Sequence, residues 1–161
     1  MNAAHVHLAL NHLPVLGTAF GATLLLIALL RKSGELKKIT LAWFVAVAIL
    51  TIPVYLSGEP SEEIAEGLPG VSHAIVEEHE QAAVFAFTGV VVAGVAALAG
   101  LIIFRKGKEV PQRFGVMMLA FAVIAAGLMV RTASLGGEIR HTEIRKAALS
   151  TQPVKADHRE D

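Results

Sequence analysis

Four long apolar segments constrain the fold of this 161-residue chain more than any other feature. A helix needs about 20 mostly apolar residues to cross the hydrocarbon core of a bilayer. The segments lie at residues 13–30, 39–56, 82–104 and 114–135. None of them alternates like a β-strand, and a helix satisfies all of its backbone amides within its own segment. The sequence therefore predicts an all-α protein: a bundle of four transmembrane helices, formed by residues 1–146.

The charges between the segments predict the orientation of the bundle. The first and third connections are short and basic, whereas the second, residues 58–81, holds seven glutamates and no Lys or Arg. Basic connections stay in the cytoplasm, so we expect the acidic connection and both termini on the non-cytoplasmic side. Residues 147–161 are polar and charged without periodicity, which predicts a disordered tail.

Composition excludes several kinds of chemistry. With no cysteine, the chain can form no disulfide, Cys-ligated iron–sulfur cluster or covalent c-type haem attachment. Its net charge is zero, and it has no basic block outside the two short connections, so we expect no nucleic-acid partner.

Six of the seven histidines fall at the predicted non-cytoplasmic side, where apolar segments begin or end. They are His5, His7, His12, His73, His79 and His141. Imidazole is the commonest metal ligand in proteins, and it also binds haem iron. This side of the bundle is therefore the predicted site.

Helical spacing indicates that His12 and His79 face the bundle. His12 shares a face with Leu16, Ala19 and Thr23, and Pro14 fits the first turn of its helix. The alternative for His12 is an interfacial position among lipid headgroups. We expect His5, His7 and His73 to be solvated.

A stripe of small residues follows His79 along the third segment. It consists of Ala82, Ala83, Ala86, Val90, Ala93 and Ala97. Such a stripe permits close helix packing, and it would also leave room for a flat macrocycle below the imidazole.

Charged residues near this side supply further candidates. An unpaired Arg131 near the apolar zone would cost at least ~2.5 kcal/mol, so we expect it to face the bundle and to pair with Glu59, Glu63 or a haem propionate. Snorkelling to the headgroups is the alternative. Glu138 and His141 have the Glu-x-x-His spacing that places two ligands on one helical face, although Gly136 and Gly137 just before them can break the helix.

The acidic connection itself has helical signals. Pro53 predicts a kink near the end of the second segment, and Ser61, followed by two glutamates, predicts the start of a short helix. This segment either folds back over the bundle or remains a solvated acidic loop.

Four motifs carry a family resemblance. They are Leu-Asn-His-Leu-Pro-Val-Leu-Gly at 10–17, Gly-Glu-Pro-Ser-Glu-Glu at 58–63, Glu-Glu-His-Glu at 77–80 and Leu-Gly-Gly-Glu-Ile-Arg-His at 135–141. Together they resemble a group of uncharacterised bacterial four-helix membrane proteins, which implies a bacterial inner-membrane location. The chain is also loosely similar to small b-type membrane cytochromes, which hold haem between helices by paired histidines. It lacks a second histidine pair on the cytoplasmic side, so the similarity implies a single haem.

The favoured hypothesis is a b-type haem held by His12 and His79, with Arg131 neutralising a propionate. Two imidazoles saturate the iron and favour electron transfer. The partner would be a quinol, a periplasmic electron carrier or a respiratory complex.

Two alternatives stay open. In one, His12, His79, Glu138 and His141, joined by Glu59 or Glu63, bind zinc, iron or copper. In the other, the chain is a non-catalytic accessory subunit or an oligomer, associating through its small-residue stripes.

Overall fold

A computed structural model describes residues 2–141 and 144–145. Within that part of the chain there are six helices and no strand. The helices are α1 (Ala3–Leu10), α2 (His12–Leu30), α3 (Gly34–Leu56), α4 (Gly58–Glu66), α5 (His73–Ile103) and α6 (Gln112–Arg140). Four helical stretches of the described chain are long and apolar enough to cross a membrane, which confirms the predicted all-α, four-span fold. The predicted disordered tail, residues 147–161, lies outside the described residues.

The four long helices form a ring. Helix α2 packs against α3 and α6, and α5 packs against the same two neighbours. Residues 31–33 and 104–111 connect consecutive helices at one end, which we call the basic-loop end. The other end carries α1, α4, the start of α5 and the end of α6, and we call it the histidine end. Which end faces the cytoplasm stays a prediction.

The inside of the ring contains small and large apolar side chains, and many other large ones lie on its surface. Ala86 and Ala97 of the predicted stripe are buried with Leu41, whereas Leu16 and Phe85 are 65% and 63% exposed. A water-soluble bundle does not expose large apolar side chains over so much of its surface, so this distribution suits a lipid environment. The stripe therefore serves helix packing.

One glycine shows how closely the helices approach. A Cβ atom on Gly94 of α5 would overlap the side chain of Ala48 on α3. Only glycine lets these two helices come together at this level, as small residues do in membrane bundles.

At the histidine end, two short helices extend the bundle, each separated from a long helix by a single residue. Helix α4 packs mainly against α1, and also against α3 and α5. It begins at Gly58, three residues before the predicted start at Ser61, and follows α3 directly after Ser57. Residues 58–66 of the acidic segment are therefore helical and packed against neighbouring helices and do not form a solvated loop, and we call α1 and α4 together the cover.

At the basic-loop end, two side chains fix the connections. The buried Lys37 Nζ donates a hydrogen bond to the Val110 carbonyl, and Gln112 Nε2 donates to the Leu29 carbonyl at 2.9 Å. Each bond joins elements far apart in sequence, so the two connections are held to neighbouring helices.

Candidate functional site

His79 is half-buried between α5 and α6. Its Nδ1 lies 3.0 Å from the Thr132 carbonyl oxygen. Because a carbonyl only accepts, Nδ1 must carry the proton and donate it, which leaves the lone pair on Nε2. Gly136 lies one turn further along α6, where a Cβ atom would stand 3.0 Å from His79 Cε1. The missing side chain at Gly136 thus makes room for this imidazole.

His7 has the same hydrogen-bonding pattern. It is half-buried on α1, and its Nδ1 lies 3.1 Å from the Val54 carbonyl in the last turn of α3. Nδ1 therefore donates here too, and Nε2 keeps its lone pair. The prediction that His7 is solvated is wrong, because α1 packs against α3 and α4 and does not extend into solvent.

Both imidazoles lie at the histidine end of the bundle, and a positive charge on His7 would be felt at His79. Among the described residues, no hydrogen-bond partner reaches the Nε2 atom of either ring. Histidines that ligate metals usually donate their other ring N–H to a carbonyl or carboxylate, which fixes the tautomer and the ring orientation. Both His7 and His79 are fixed in this way.

Asn11 adds an unsatisfied polar atom at the same end. Its Oδ1 is buried and has no hydrogen-bond partner in the part of the chain that the structure describes. Asn11 follows His7 by one helical turn, and its backbone N–H donates to the His7 carbonyl at 2.8 Å. An unpaired buried amide oxygen costs about 1–3 kcal/mol, so this atom calls for a donor from a ligand or a water.

The acidic cover carries a carboxyl group that titrates near neutrality. Glu62 is half-buried on α4, beyond the apolar part of the second span. Burial, followed by the charges of Glu80, Glu59 and Glu66, raises the pKa of Glu62 to about 7. The cover can therefore change charge at physiological pH.

A hydrogen bond between exposed side chains joins the end of α4 to the start of α5. His73 Nδ1 lies 2.6 Å from Glu66 Oε1, and this contact raises the pKa of His73. The exposed position of His73 agrees with the prediction, as does that of His5.

The prediction that His12 faces the bundle is wrong. Its side chain is exposed, as are Leu16, Ala19 and Thr23, on whose face it was placed. The buried face of α2 instead contains Pro14, Gly17, Thr18, Gly21, Leu25, Ala28 and Leu29. Continued toward the N-terminus, this face reaches Asn11 and His7, and it leaves His12 outside.

Arg131 also lies on the outside. Its side chain is 58% exposed, and Nη2 lies 3.5 Å from Glu78 Oε1. The predicted partners Glu59 and Glu63 are both exposed on α4 and make no ion pair with it in the described chain. Arg131 precedes Thr132, which faces His79, so it is turned away from the contact between α5 and α6. Its predicted inward orientation is wrong.

Glu138 and His141 do not share a helical face. Helix α6 continues through Gly136 and Gly137 and ends at Arg140, so the predicted break is absent. Glu138 is half-buried in the helix, whereas the exposed His141 lies just beyond it with φ −102° and ψ 85°. No group of three or more His, Asp or Glu residues within 2–141 and 144–145 could hold a metal ion. The structure therefore does not assemble the predicted non-haem set.

Three residues of the site, His7, Asn11 and Gly136, were missed by the sequence analysis. The signal for the first two was the spacing of small and polar residues: positions 7, 11, 14, 18 and 21 follow one helical face. The role of Gly136 depends on contact with another helix, which the spacing along α6 does not report.

Fold and site together define a class: an all-helical protein with four potential membrane spans and a pair of oriented imidazoles at one end of the bundle. Comparisons with models of known protein families, with curated proteins and with solved structures found no match for this chain. The resemblance to bacterial four-helix membrane proteins stays a prediction.

Proposed function

We propose that this protein is an integral membrane protein that binds one b-type haem at the histidine end, with His7 and His79 as axial ligands, and that it transfers electrons. The observation that carries the proposal is the matched hydrogen bonding of the two imidazoles. Each Nδ1–H is held by a backbone carbonyl, and each Nε2 is left as a free Lewis base. The proposal keeps His79 from the sequence hypothesis and replaces His12 with His7.

The surroundings of the pair support a cofactor of this kind. Each ring has a glycine beside it: a Cβ on Gly136 would stand 3.0 Å from His79 Cε1, and a Cβ on Gly58 would stand 3.9 Å from His7 Cε1. The orphan Asn11 oxygen requires a hydrogen-bond donor, which a protonated carboxyl group of the cofactor or a trapped water would supply. Arg131 has no place in this proposal, because its exposed guanidinium pairs with Glu78.

The proposed activity follows from the ligand set. Bound haem supplies a one-electron carrier, and two imidazoles leave its iron no open position for oxygen. The chain contributes the orientation of the two rings and, through α1 and α4, a cover over them. We propose a quinol, a soluble carrier or a respiratory complex as the electron partner, and the bacterial inner membrane as the location.

A non-haem ion is the second candidate, and the Asn11 oxygen is the observation that favours it. Two imidazole nitrogens and one amide oxygen suit zinc, iron or copper, with further positions left for water. This set differs from the one predicted from sequence, because it contains neither Glu138 nor His141.

An absorption spectrum distinguishes the two. The spectrum of the purified full-length chain is recorded in the oxidised state and again after reduction with dithionite. The metal content of the same sample is measured by elemental analysis. We expect a sharp reduced α-band of the b type, lost in His7→Ala and in His79→Ala and retained in His12→Ala. Size-exclusion elution and helical circular dichroism establish that the variants fold.

Other outcomes contradict the proposal. Colourless protein with stoichiometric metal supports the non-haem site, and protein with neither haem nor metal overturns both. A b-type spectrum that survives both His7→Ala and His79→Ala rejects the ligand assignment.

A further inference from the structure

A cleft opens on the outer surface of the bundle between α2 and α3. It has a volume of about 320 Å³ and an almost wholly apolar lining. Its walls are Leu13, Leu16 and Phe20 on α2 and Trp43, Ala46 and Leu50 on α3. Most of these side chains are partly exposed, so the cleft opens sideways toward lipid.

The aromatic wall of the cleft is fixed in position. Trp43 Nε1–H donates a 2.8 Å hydrogen bond to the Gly17 carbonyl on the facing helix. The Phe20 ring meets the Trp43 ring edge-on, with centroids 5.2 Å apart. Because the indole is held by both contacts, the cleft keeps an ordered flat surface without a ligand.

An exposed histidine precedes the residues of α2 that line the cleft. His12 lies one helical turn before Leu16 and next to Leu13, at the histidine end of α2. It is exposed and has no hydrogen-bond partner among the described residues. Asn11 and His12 are consecutive, so their side chains leave the helix in different directions: Asn11 is half-buried and His12 is exposed on the side of Leu16.

We propose that this cleft binds an isoprenoid quinone or quinol, with the polar ring hydrogen-bonded to His12 and the first isoprene units against Trp43 and Phe20. The ligand must be long, flat and apolar, and must carry a polar oxygen at one end. A phospholipid acyl chain would fill the apolar part, but it would neither stack on the aromatic wall nor hydrogen-bond with the imidazole. The inference rests on the proposed function for its physiological meaning, because it names the electron partner, but binding itself requires no haem.

Trp43 is the only tryptophan of the chain, so its fluorescence reports on this cleft alone. The detergent-solubilised full-length protein is titrated with a ubiquinone analogue that carries one or two isoprene units. We expect saturable quenching of the Trp43 emission. The same titration on the His79→Ala variant, prepared without haem, separates this inference from the proposed function, because quinone binding should persist there.

Variants locate the site. Ala46→Leu fills the cleft from an exposed position and should abolish the saturable quenching. Ala120→Leu, the same change at an exposed position on α6, should leave it intact. His12→Ala should weaken the apparent affinity roughly two- to tenfold, as the loss of one hydrogen bond does, and His12→Gln should restore part of it.

Two results would overturn the proposal. Quenching that rises linearly and equally in the wild type and in Ala46→Leu means that the quinone only partitions into the detergent. Saturable quenching by a brominated phosphatidylcholine that displaces the quinone means that the cleft is a lipid site.

Discussion

At both ends of this bundle, side chains donate hydrogen bonds to backbone carbonyls of other elements, but the consequences differ. At the basic-loop end, Lys37 and Gln112 donate hydrogen bonds to backbone carbonyls and so fix the loops. At the histidine end, His7 and His79 do the same. The lysine ammonium carries donors only, whereas each imidazole keeps an unused acceptor after its donor is bound.

This difference separates a closed end from an open one. The basic-loop end is joined by short connections that bury Val110 between them. The histidine end has a cover of two helices, an unpaired Asn11 oxygen and a half-buried Glu62. An unsatisfied buried atom lowers stability, so the Asn11 oxygen marks the histidine end as the less completely hydrogen-bonded of the two in the described chain.

The largest expected effect comes from a single methyl group at the open end. In Gly136→Ala the new Cβ would stand 3.0 Å from His79 Cε1, so the imidazole must shift. We expect most of the haem to be lost, as measured by the reduced α-band per chain. Gly127→Ala on the same helix meets nothing within 4 Å and should keep its haem. Equal haem content in the two variants would show that the position of His79 does not matter.

At the closed end, Lys37→Met should lower stability without affecting haem. The substitution keeps the length of the side chain and removes the donor to Val110, and a hydrogen bond from a charged group is worth about 1.5–3 kcal/mol. We expect the thermal midpoint of unfolding in detergent, measured by circular dichroism, to be several degrees lower than that of the wild type. Lys38→Met is the control, since Lys38 makes no hydrogen bond in the described chain. Unchanged stability in Lys37→Met would mean that this bond does not hold the loop.

The cover should respond to pH through Glu62. Its pKa is raised from 4.5 to about 7, so the folded state favours the protonated carboxyl. Stability should therefore fall as the pH rises from about 4.5 through 7, and Glu62→Gln should remove that part of the decline. Thermal midpoints of unfolding measured across this pH range test the prediction. Glu63→Gln, a change at an exposed position, is the control. If Glu62→Gln and the wild type decline in parallel, burial of Glu62 is not the cause.

The smallest effect is expected from the ion pair outside the α5–α6 contact. Arg131 and Glu78 are both more than half exposed, and such pairs contribute about 0.2–1 kcal/mol. A double-mutant cycle with Arg131→Gln and Glu78→Gln should give a coupling energy in that range, with unchanged haem content. A strong loss of haem in Arg131→Gln would instead restore a role for Arg131 at the site.

The fold could be predicted because membrane thickness sets the length of each span, and apolar runs of that length are plain in a sequence. Which face of a span is buried is harder to predict, because lipid tails are as apolar as a protein interior. His12 was placed inward with Leu16 and Thr23, which are exposed on the surface of the bundle. The better indicator of the buried face of α2 was the row of small residues along one side of the helix, which includes Gly17 and Gly21.

The rest of the site depends on contacts between elements. His79 meets Thr132 and Gly136, and His7 meets Val54, in each case on a different helix. No local spacing encodes these contacts. The Glu138–His141 spacing misled for a related reason: a shared face requires a helix through both residues, and α6 ends at Arg140.

The most direct test of the histidine pair is chemical rescue. In His7→Gly, a cavity replaces one proposed axial ligand, so the ferric haem should be five-coordinate and high-spin, and added imidazole should restore the six-coordinate low-spin spectrum. His12→Gly should be low-spin throughout. A low-spin spectrum in His7→Gly without imidazole, or its loss in His12→Gly, would contradict the assignment of His7 and His79 as the ligand pair.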